Sequence, residues 1–429
     1  MNKRPSEQAA FLREHRRLTR RYFLGVGAAT VAVASRTSIA ADPPTAAPAK
    51  PAKPAKPPKA GAKLDPYFTR PADFQDVSRG TPLPHSLPEE KKREVGLTRD
   101  TWRLEIVGDP DHPPRLGQTL TKADGTALDF AGLLELGKKH AVRFPKVMTC
   151  LNIGCPLGMG LWEGVPLREL LWLTQPREDV RRVFYYGYHN DDPKQIFRSS
   201  LPIGRVLEDP FDLPPVIACY KLNGEWLDAE RGGPVRIVAP EHYGFKSVKW
   251  LTHVVLSNLW YANDTYGEKN NDVDSPMKSF AATLDAPREV QAGEKIAVSG
   301  YAQVGLAGVS KVQVSIESNA VPRPSGDPHY TQCPWVDAEL LPRPQHWDAL
   351  PEGKIPPNTL GFDDRGEPQR WPLRFTKIHW AAVLPGLPAG EYSLRSRTID
   401  DRGVAQPMPR PFRKGGHAQI ETIIVRVKA

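Results

Sequence analysis

The chain has 429 residues, 40% hydrophobic and 25% charged, with 58 Lys/Arg against 49 Asp/Glu and a formal charge of +9. That length and balance fit a globular protein of two or three domains. They exclude wholesale disorder, a collagen-like fibre and a multi-span membrane protein, and four cysteines are too few for a disulfide-stapled scaffold.

The charge is unevenly placed. Residues 1–40 hold eight Lys/Arg against two acidic residues, and residues 41–63 hold five lysines against Asp42. Residues 64–429 are left with 45 basic and 46 acidic side chains, a net charge of −1. The body of the protein therefore offers no basic footprint for nucleic acid.

Residues 1–40 read as a twin-arginine signal. Thr19-Arg20-Arg21-Tyr22-Phe23-Leu24 precedes the mildly apolar Gly25–Ala34, and Ser38-Ile39-Ala40 offers small residues for cleavage. The apolar stretch falls short of the roughly 18–20 residues that span a bilayer. Such a route carries proteins already folded, so an exported, periplasmic cofactor enzyme is the expectation. The linker, 41–66, repeats Pro-Ala-Lys; fixed φ and like charges make it an extended spacer.

A mixed α+β domain is predicted over 67–274. Leu104–Val107, Val180–Tyr186, Pro215–Leu222, Val235–Val238 and Val248–Leu256 are strand-like by β-branched and aromatic content, and Ala131–His140 and Leu167–Leu173 are helix-like. From 275 to 429 the pattern changes. Lys295–Tyr301, Ser310–Ser318, Glu391–Ile399 and Gln419–Val427 alternate apolar and polar residues, around a turn-rich stretch at 320–372. An all-β immunoglobulin-like sandwich is the simplest expectation, with the boundary near Asp274-Ser275-Pro276.

No GxGxxG follows a strand, and GxxxxGK[ST], HExxH and CxxCH are absent, so no haem is attached to this chain through a c-type motif. The most informative stretch is Val147–Leu171. Cys150 ends a strand-like run, and a Gly-rich loop is predicted to follow, through Gly154, Gly158, Gly160 and Gly164. A thiolate there suits a metal or a nucleophilic role; a buried thiol or a Cys150–Cys155 disulfide is the plainer alternative. Cys155, Cys219 and Cys333 read as structural thiols or a disulfide. The cluster Tyr185–Asp192 and the pair His242-Tyr243 are candidates for a pocket wall.

Over residues 75–429 the sequence resembles the sulfite oxidase family of molybdopterin enzymes. The resemblance rests on Cys150, Trp162-Glu163-Gly164-Val165-Pro166-Leu167, Leu201-Pro202-Ile203, Asp209-Pro210, Tyr220–Glu225, Gly232-Gly233-Pro234-Val235-Arg236 and Gly244–Leu251, in that order. In the last part it rests on Val298–Ala302, Val312–Ser315 and Asp400…Gln406-Pro407.

The resemblance implies a molybdenum–molybdopterin cofactor, its metal held by the pterin sulfurs and the soft thiolate of Cys150. It implies that Arg236, Lys246, Ser247 and Lys249 hold the pterin phosphate. Arg231 stands where the family has a histidine, and His85 stands in for the histidine of an N-terminal motif reduced to Arg79-Gly80-Thr81. A family tyrosine aligns with Phe197, leaving Arg198 and Arg79 to grip an anion. The implied activity is oxygen-atom transfer to a small sulfite-like substrate, with electrons passing to a separate c-type cytochrome. The alternatives are an S-oxide or N-oxide reductase with a membrane donor, or a secreted binding module without metal. The implied C-terminal module is a homodimerisation domain.

Overall fold

The computed structural model describes residues 64–150, 156–210, 212–267, 274, 276–321, 327, 330–406 and 419–429. The arginine pair, the Pro-Ala-Lys repeat, Cys155 and Pro407 lie outside them.

Among the described residues the first half holds ten strands. They are β1 (Arg103–Gly108), β2 (Leu128–Asp129), β3 (Val142–Thr149), β4 (Pro156–Pro166) and β5 (Arg182–Gly187), then β6 (Arg198–Pro202), β7 (Ile217–Leu222), β8 (Glu225–Trp226), β9 (Arg236–Val238) and β10 (Leu251–Ser257). One sheet runs β2-β1-β10-β5-β6, with β1 parallel to β10; the other runs β3-β4-β7-β8, with β9 on β7. Both predicted helices are present, as Phe130–His140 and Leu167–Trp172. The first is capped by the Asp129 carboxylate, which accepts from the Gly132 amide at 2.7 Å, and ends on Lys138, Lys139 and His140, matching its dipole at both ends. Its Leu133 joins Leu104, Val165, Leu170, Val183, Ile237 and Val254 in the core of this half.

Two expectations need correction here. The Gly-rich stretch after Cys150 is not a loop from Pro156 onward but strand β4, antiparallel to both β3 and β7. Its glycines are there for close packing: a Cβ on Gly160 would lie 2.3 Å from Leu222 Cδ1, and one on Gly164 would lie 2.3 Å from the Ala218 carbonyl. The strand predicted from Val248 begins only at Leu251, because Trp250 has φ of +54° and turns the chain.

Eight further strands follow: β11 (Phe280–Asp285), β12 (Glu289–Gln291), β13 (Ile296–Gln303), β14 (Lys311–Ser318), β15 (Val336–Leu340), β16 (Lys377–Leu384), β17 (Gly390–Ile399) and β18 (Thr422–Lys428). They pair in the order β11-β13-β16-β15-β14-β17-β18-β12, with β12 parallel to β18. Strand β15 belongs to two layers, meeting β14 at Val312↔Ala338 and β16 at Leu340↔Trp380. Their inner faces share one core of Ile296, Val298, Val312, Val314, Trp380, Leu394 and Val425. The stretch 320–372, expected to be turns, contributes β15 and also sends Trp347, Leu350 and Phe362 into a core with Tyr67, Phe68, Met159, Leu161 and Phe245. It therefore straps the second half to the first, and residues 58–429 form one unit.

Candidate active site

A cavity of about 320 Å³ opens where β3, β4 and the 244–250 segment meet the chain at 74–80. Cys150, one residue past the end of β3, lines it and carries a free thiol. The strand that delivers this thiol is fixed on both sides. Val147 donates to the Phe375 carbonyl at 2.7 Å, and the buried Lys146 ammonium donates to the carbonyls of Pro240 (2.8 Å) and His242 (2.7 Å).

One wall is a cationic cradle. Arg236 opens β9 with its guanidinium buried, donating to the carbonyls of Arg231 (2.7 Å) and Ser247 (2.6 Å) and lying 5.2 Å from the Trp162 ring centre. Arg231, also buried, donates to the Phe74 carbonyl at 2.9 Å and pairs with Glu230. Lys249 reaches Asp76 (3.0 Å), the Ser78 hydroxyl (2.6 Å) and the Glu230 carbonyl (2.6 Å). Its side chain passes directly over Gly232, whose φ is +100° and where a Cβ would sit 2.6 Å from Lys249 Cγ, so only glycine serves there.

The cradle's electrostatics are those of crowded cations. Burial, reinforced by the charge of Arg236, lowers Lys249 to about 8 despite Asp76. Burial and the neighbouring Arg231 lower Arg236 to about 10. For Asp76, burial is outweighed by Ser78 hydrogen bonds and the Lys249 charge, which bring the carboxyl down to about 2.

These residues fit the cofactor that the resemblance implies. The Nε atoms of Arg231 and Arg236 are buried without a hydrogen-bond partner among the described residues, and the Arg236 guanidinium donates there to the uncharged carbonyls of Arg231 and Ser247. Unpaired buried guanidinium donors are costly unless an anion completes them. A phosphate group does so, and the soft sulfur of Cys150 in the same cavity suits molybdenum.

The opposite wall is aromatic. The Arg79 guanidinium lies 4.7 Å from the Phe197 ring centre and donates from Nη2 to the Tyr266 hydroxyl at 2.7 Å. Phe197 meets Tyr266 edge to face at 5.3 Å.

Of the residues singled out from the sequence, Cys150, Arg79, Phe197, Arg231, Arg236, Ser247 and Lys249 line this one cavity. Arg198, Lys246 and His85 do not. Arg198 donates to the Asn263 carbonyl at 2.6 Å and lies over Phe184 at 5.0 Å. Lys246 is fully buried, on the Ser200 carbonyl (2.6 Å) and Asp264 (3.5 Å). His85 stacks on Trp250 at 6.1 Å. From the Tyr185–Asp192 cluster, Gly187, Tyr188 and His189 reach the cavity, while Tyr185 is buried and donates to the Lys246 carbonyl. His242 pairs with Glu241, and Tyr243 lies in the core. Cys219 is a buried thiol donating to the Lys221 carbonyl, and Cys333 contacts Glu317. Phe74, Ser78, Gln195, Trp250 and Tyr266 also line the cavity. Of these, only Trp250 carried a signal, through its place after Lys249.

Comparison with known proteins identifies the type of domain that holds Cys150, Arg231, Arg236 and Lys249. Residues 93–263 match the oxidoreductase molybdopterin-binding domain. Mitochondrial sulfite oxidase of Rattus norvegicus is 24% identical over 319 residues, 64% of this chain and 52% of that protein. The Drosophila melanogaster enzyme is 26% identical over 230 residues, 51% of this chain and 37% of that protein. Nitrate reductase [NADPH] of Neurospora crassa is 26% identical over 232 residues, 48% of this chain and 22% of that protein. The chain thus spans about half the length, or less, of these curated relatives. Among solved structures, the sulfane dehydrogenase SoxCD from Paracoccus pantotrophus superposes with a TM-score of 0.52 at 17% identity, over 78% of this chain and 79% of that one, a likeness of fold. Residues 93–263 are thus a molybdopterin-binding oxidoreductase domain, similar to those of sulfite oxidases and nitrate reductases.

Proposed function

We propose that this protein is an exported, periplasmic molybdenum oxidoreductase that transfers an oxygen atom to a small sulfur oxyanion and passes electrons to a separate c-type cytochrome. The observation that carries this reading is the meeting of one free thiol and four cations, Arg79, Arg231, Arg236 and Lys249, in one cavity. Arg231, Arg236 and Lys249, with Ser247 beside them, would hold the cofactor's phosphate, and Cys150 would ligate its metal. When bound, the molybdenum cofactor supplies two-electron redox chemistry and a site that exchanges an oxygen atom. The chain's own residues bind, orient and neutralise. Arg79 brings a positive charge to the aromatic wall, where an oxyanion would otherwise meet only Phe197 and Tyr266.

Export is supported by the arginine pair at Arg20-Arg21 followed by a short apolar stretch. We read residues 275–429 as an immunoglobulin-like module that makes a homodimer. Two features support the module: the two-layer pairing order with β12 parallel to β18, and Tyr392 near the start of β17, whose hydroxyl donates to the Pro388 carbonyl at 3.0 Å.

Cys150→Ser tests the assignment. Protein expressed in an exporting host should contain stoichiometric molybdenum as wild type, and the variant should lose turnover while retaining its circular dichroism. Full activity in the variant, or wild type without molybdenum, would overturn the reading. An uncharged S-oxide, reduced rather than oxidised, is the alternative substrate. Sulfite-driven reduction of cytochrome c, set against dye-linked reduction of methionine sulfoxide, separates the two directions.

A further inference from the structure

Tyr266 enters the cavity from a turn 69 positions beyond Phe197 in the sequence, and that turn is held with more hydrogen bonds than a surface connection needs. The carboxylate of Asp264, only 1% exposed, spans it. Its Oδ1 accepts from the amides of Tyr266 (3.2 Å) and Gly267 (2.9 Å), and its Oδ2 accepts from the Ser200 hydroxyl (2.9 Å) and the Lys246 ammonium (3.5 Å). Arg198 clamps the other flank. Its amide donates to the Thr265 hydroxyl (3.0 Å), its carbonyl accepts from the Thr265 amide (3.1 Å), and its guanidinium holds the Asn263 carbonyl (2.6 Å). Gly267 closes the turn, since a Cβ there would lie 2.1 Å from the Ala262 carbonyl.

A buried ion pair such as Lys246–Asp264 costs desolvation energy and adds little net stability. Its evident result is the position of one side chain. The Tyr266 ring is wedged between Phe197 (5.3 Å) and Phe245 (5.1 Å), and its hydroxyl accepts from Arg79 at 2.7 Å. A phenol that accepts from a guanidinium is polarised and becomes a better donor toward an anion. Arg79 and Tyr266 together therefore present a charge and an oriented hydroxyl in the cavity that Cys150 lines.

We infer that Tyr266 is a substrate-contacting residue of the cavity, specific for an oxyanion, and that Lys246, Asp264 and Arg198 are the positioning residues that hold it there. This rests on the oxyanion chemistry proposed above. It gives Lys246 and Arg198 a role different from the phosphate and substrate contacts expected of them from the sequence.

The test uses the full-length purified protein, wild type, Tyr266→Phe, Asp264→Asn and the double variant, titrated calorimetrically with sulfate. Loss of one charge-polarised hydrogen bond should raise the sulfate Kd by a factor on the order of ten in Y266F, with molybdenum content and unfolding midpoint unchanged. In sulfite turnover the loss should fall on KM rather than kcat. D264N should weaken sulfate binding as well, and the double variant should show no further loss, because both changes remove the same contact. Wild type that does not bind sulfate, sulfate affinity unaltered in Y266F, or losses that simply add in the double variant would overturn the inference. Wild type that binds sulfate in a Tyr266-dependent way yet carries no molybdenum would instead sustain it and bring down the oxidoreductase reading.

Discussion

Gly164→Ala is the perturbation whose cost the structure defines most directly. Gly164 pairs with Cys219 where β4 runs beside β7, and its added Cβ would lie 2.3 Å from the Ala218 carbonyl oxygen and 2.6 Å from Cys219 Cα. Both obstacles are backbone, so no rotamer relieves them. Ordinary contact needs roughly 1 Å more, and a retreat of about 1 Å takes the flanking N–H···O bonds of the ladder beyond useful length. Two weakened ladder bonds at about 1 kcal/mol each, with overpacking of about 1–3 kcal/mol, give a destabilisation of about 3–5 kcal/mol. The matched control is Gly204→Ala in the helix Ile203–Leu207, where a Cβ meets nothing within 4 Å; there the change should be neutral or stabilising by about 0.5–1 kcal/mol. Urea unfolding of both variants at equal molybdenum loading measures the difference. Because Trp162 on β4 lies under Arg236, whose backbone pairs with Cys219 on β7, G164A should also retain less molybdenum after purification. A midpoint shift in G164A equivalent to less than about 1 kcal/mol, far below the overpacking sum, would refute the reasoning.

Two further predictions concern pH. Lys249 titrates near 8 in the folded protein, and an anion binds its protonated form, so phosphate affinity of cofactor-free protein should fall as pH rises through 8. Lys249→Met should flatten that profile, and calorimetry showing a pH-independent affinity in wild type would count against the cradle. Lys146 is lowered by burial to about 7, despite attraction from Glu241. Between pH 7 and its unfolded value of 10.5 the unfolded chain binds one more proton, so this lysine makes wild-type stability rise with pH. Lys146→Met should therefore lose ground to wild type between pH 7 and 10 in equilibrium unfolding, and a difference that stays constant across that range would exclude this account.

Local pattern carried much of the fold because periodicity is a property of neighbours in sequence. Strands β13, β14, β17 and β18 follow the alternation of SKVQVSIES and its counterparts to within a few residues, and Asp129 with its basic last turn frames the helix Phe130–His140. Glycine misled where its reason was contact rather than flexibility. Gly160 and Gly164 stand in a strand because Leu222 and the β7 backbone occupy the space a side chain would need, and neither neighbour is close in sequence. Lys246, Ser247 and Lys249 read as equivalent cradle members, yet the short 3₁₀ turn at Gly244–Lys246 and the positive φ of Trp250 send them different ways. Ser247 and Lys249 face the cavity and Lys246 faces Asp264.

The inventory was legible in the sequence: a near-neutral body behind a basic N-terminal segment and a Pro-Ala-Lys repeat, a cysteine at a strand end, and cations gathered around a Pro-Val-Arg strand. Charge and period are read residue by residue, and the cofactor class came from the resemblance carried by the ordered motifs around Cys150 and Arg236. Only the tertiary structure decided which of those residues share a cavity. It turned Arg198 and Lys246 away to pin a turn, and it brought Tyr266 against Arg79 and Phe197. The direction of a side chain is set by what packs behind it, and here what packs behind lies tens of positions away along the chain.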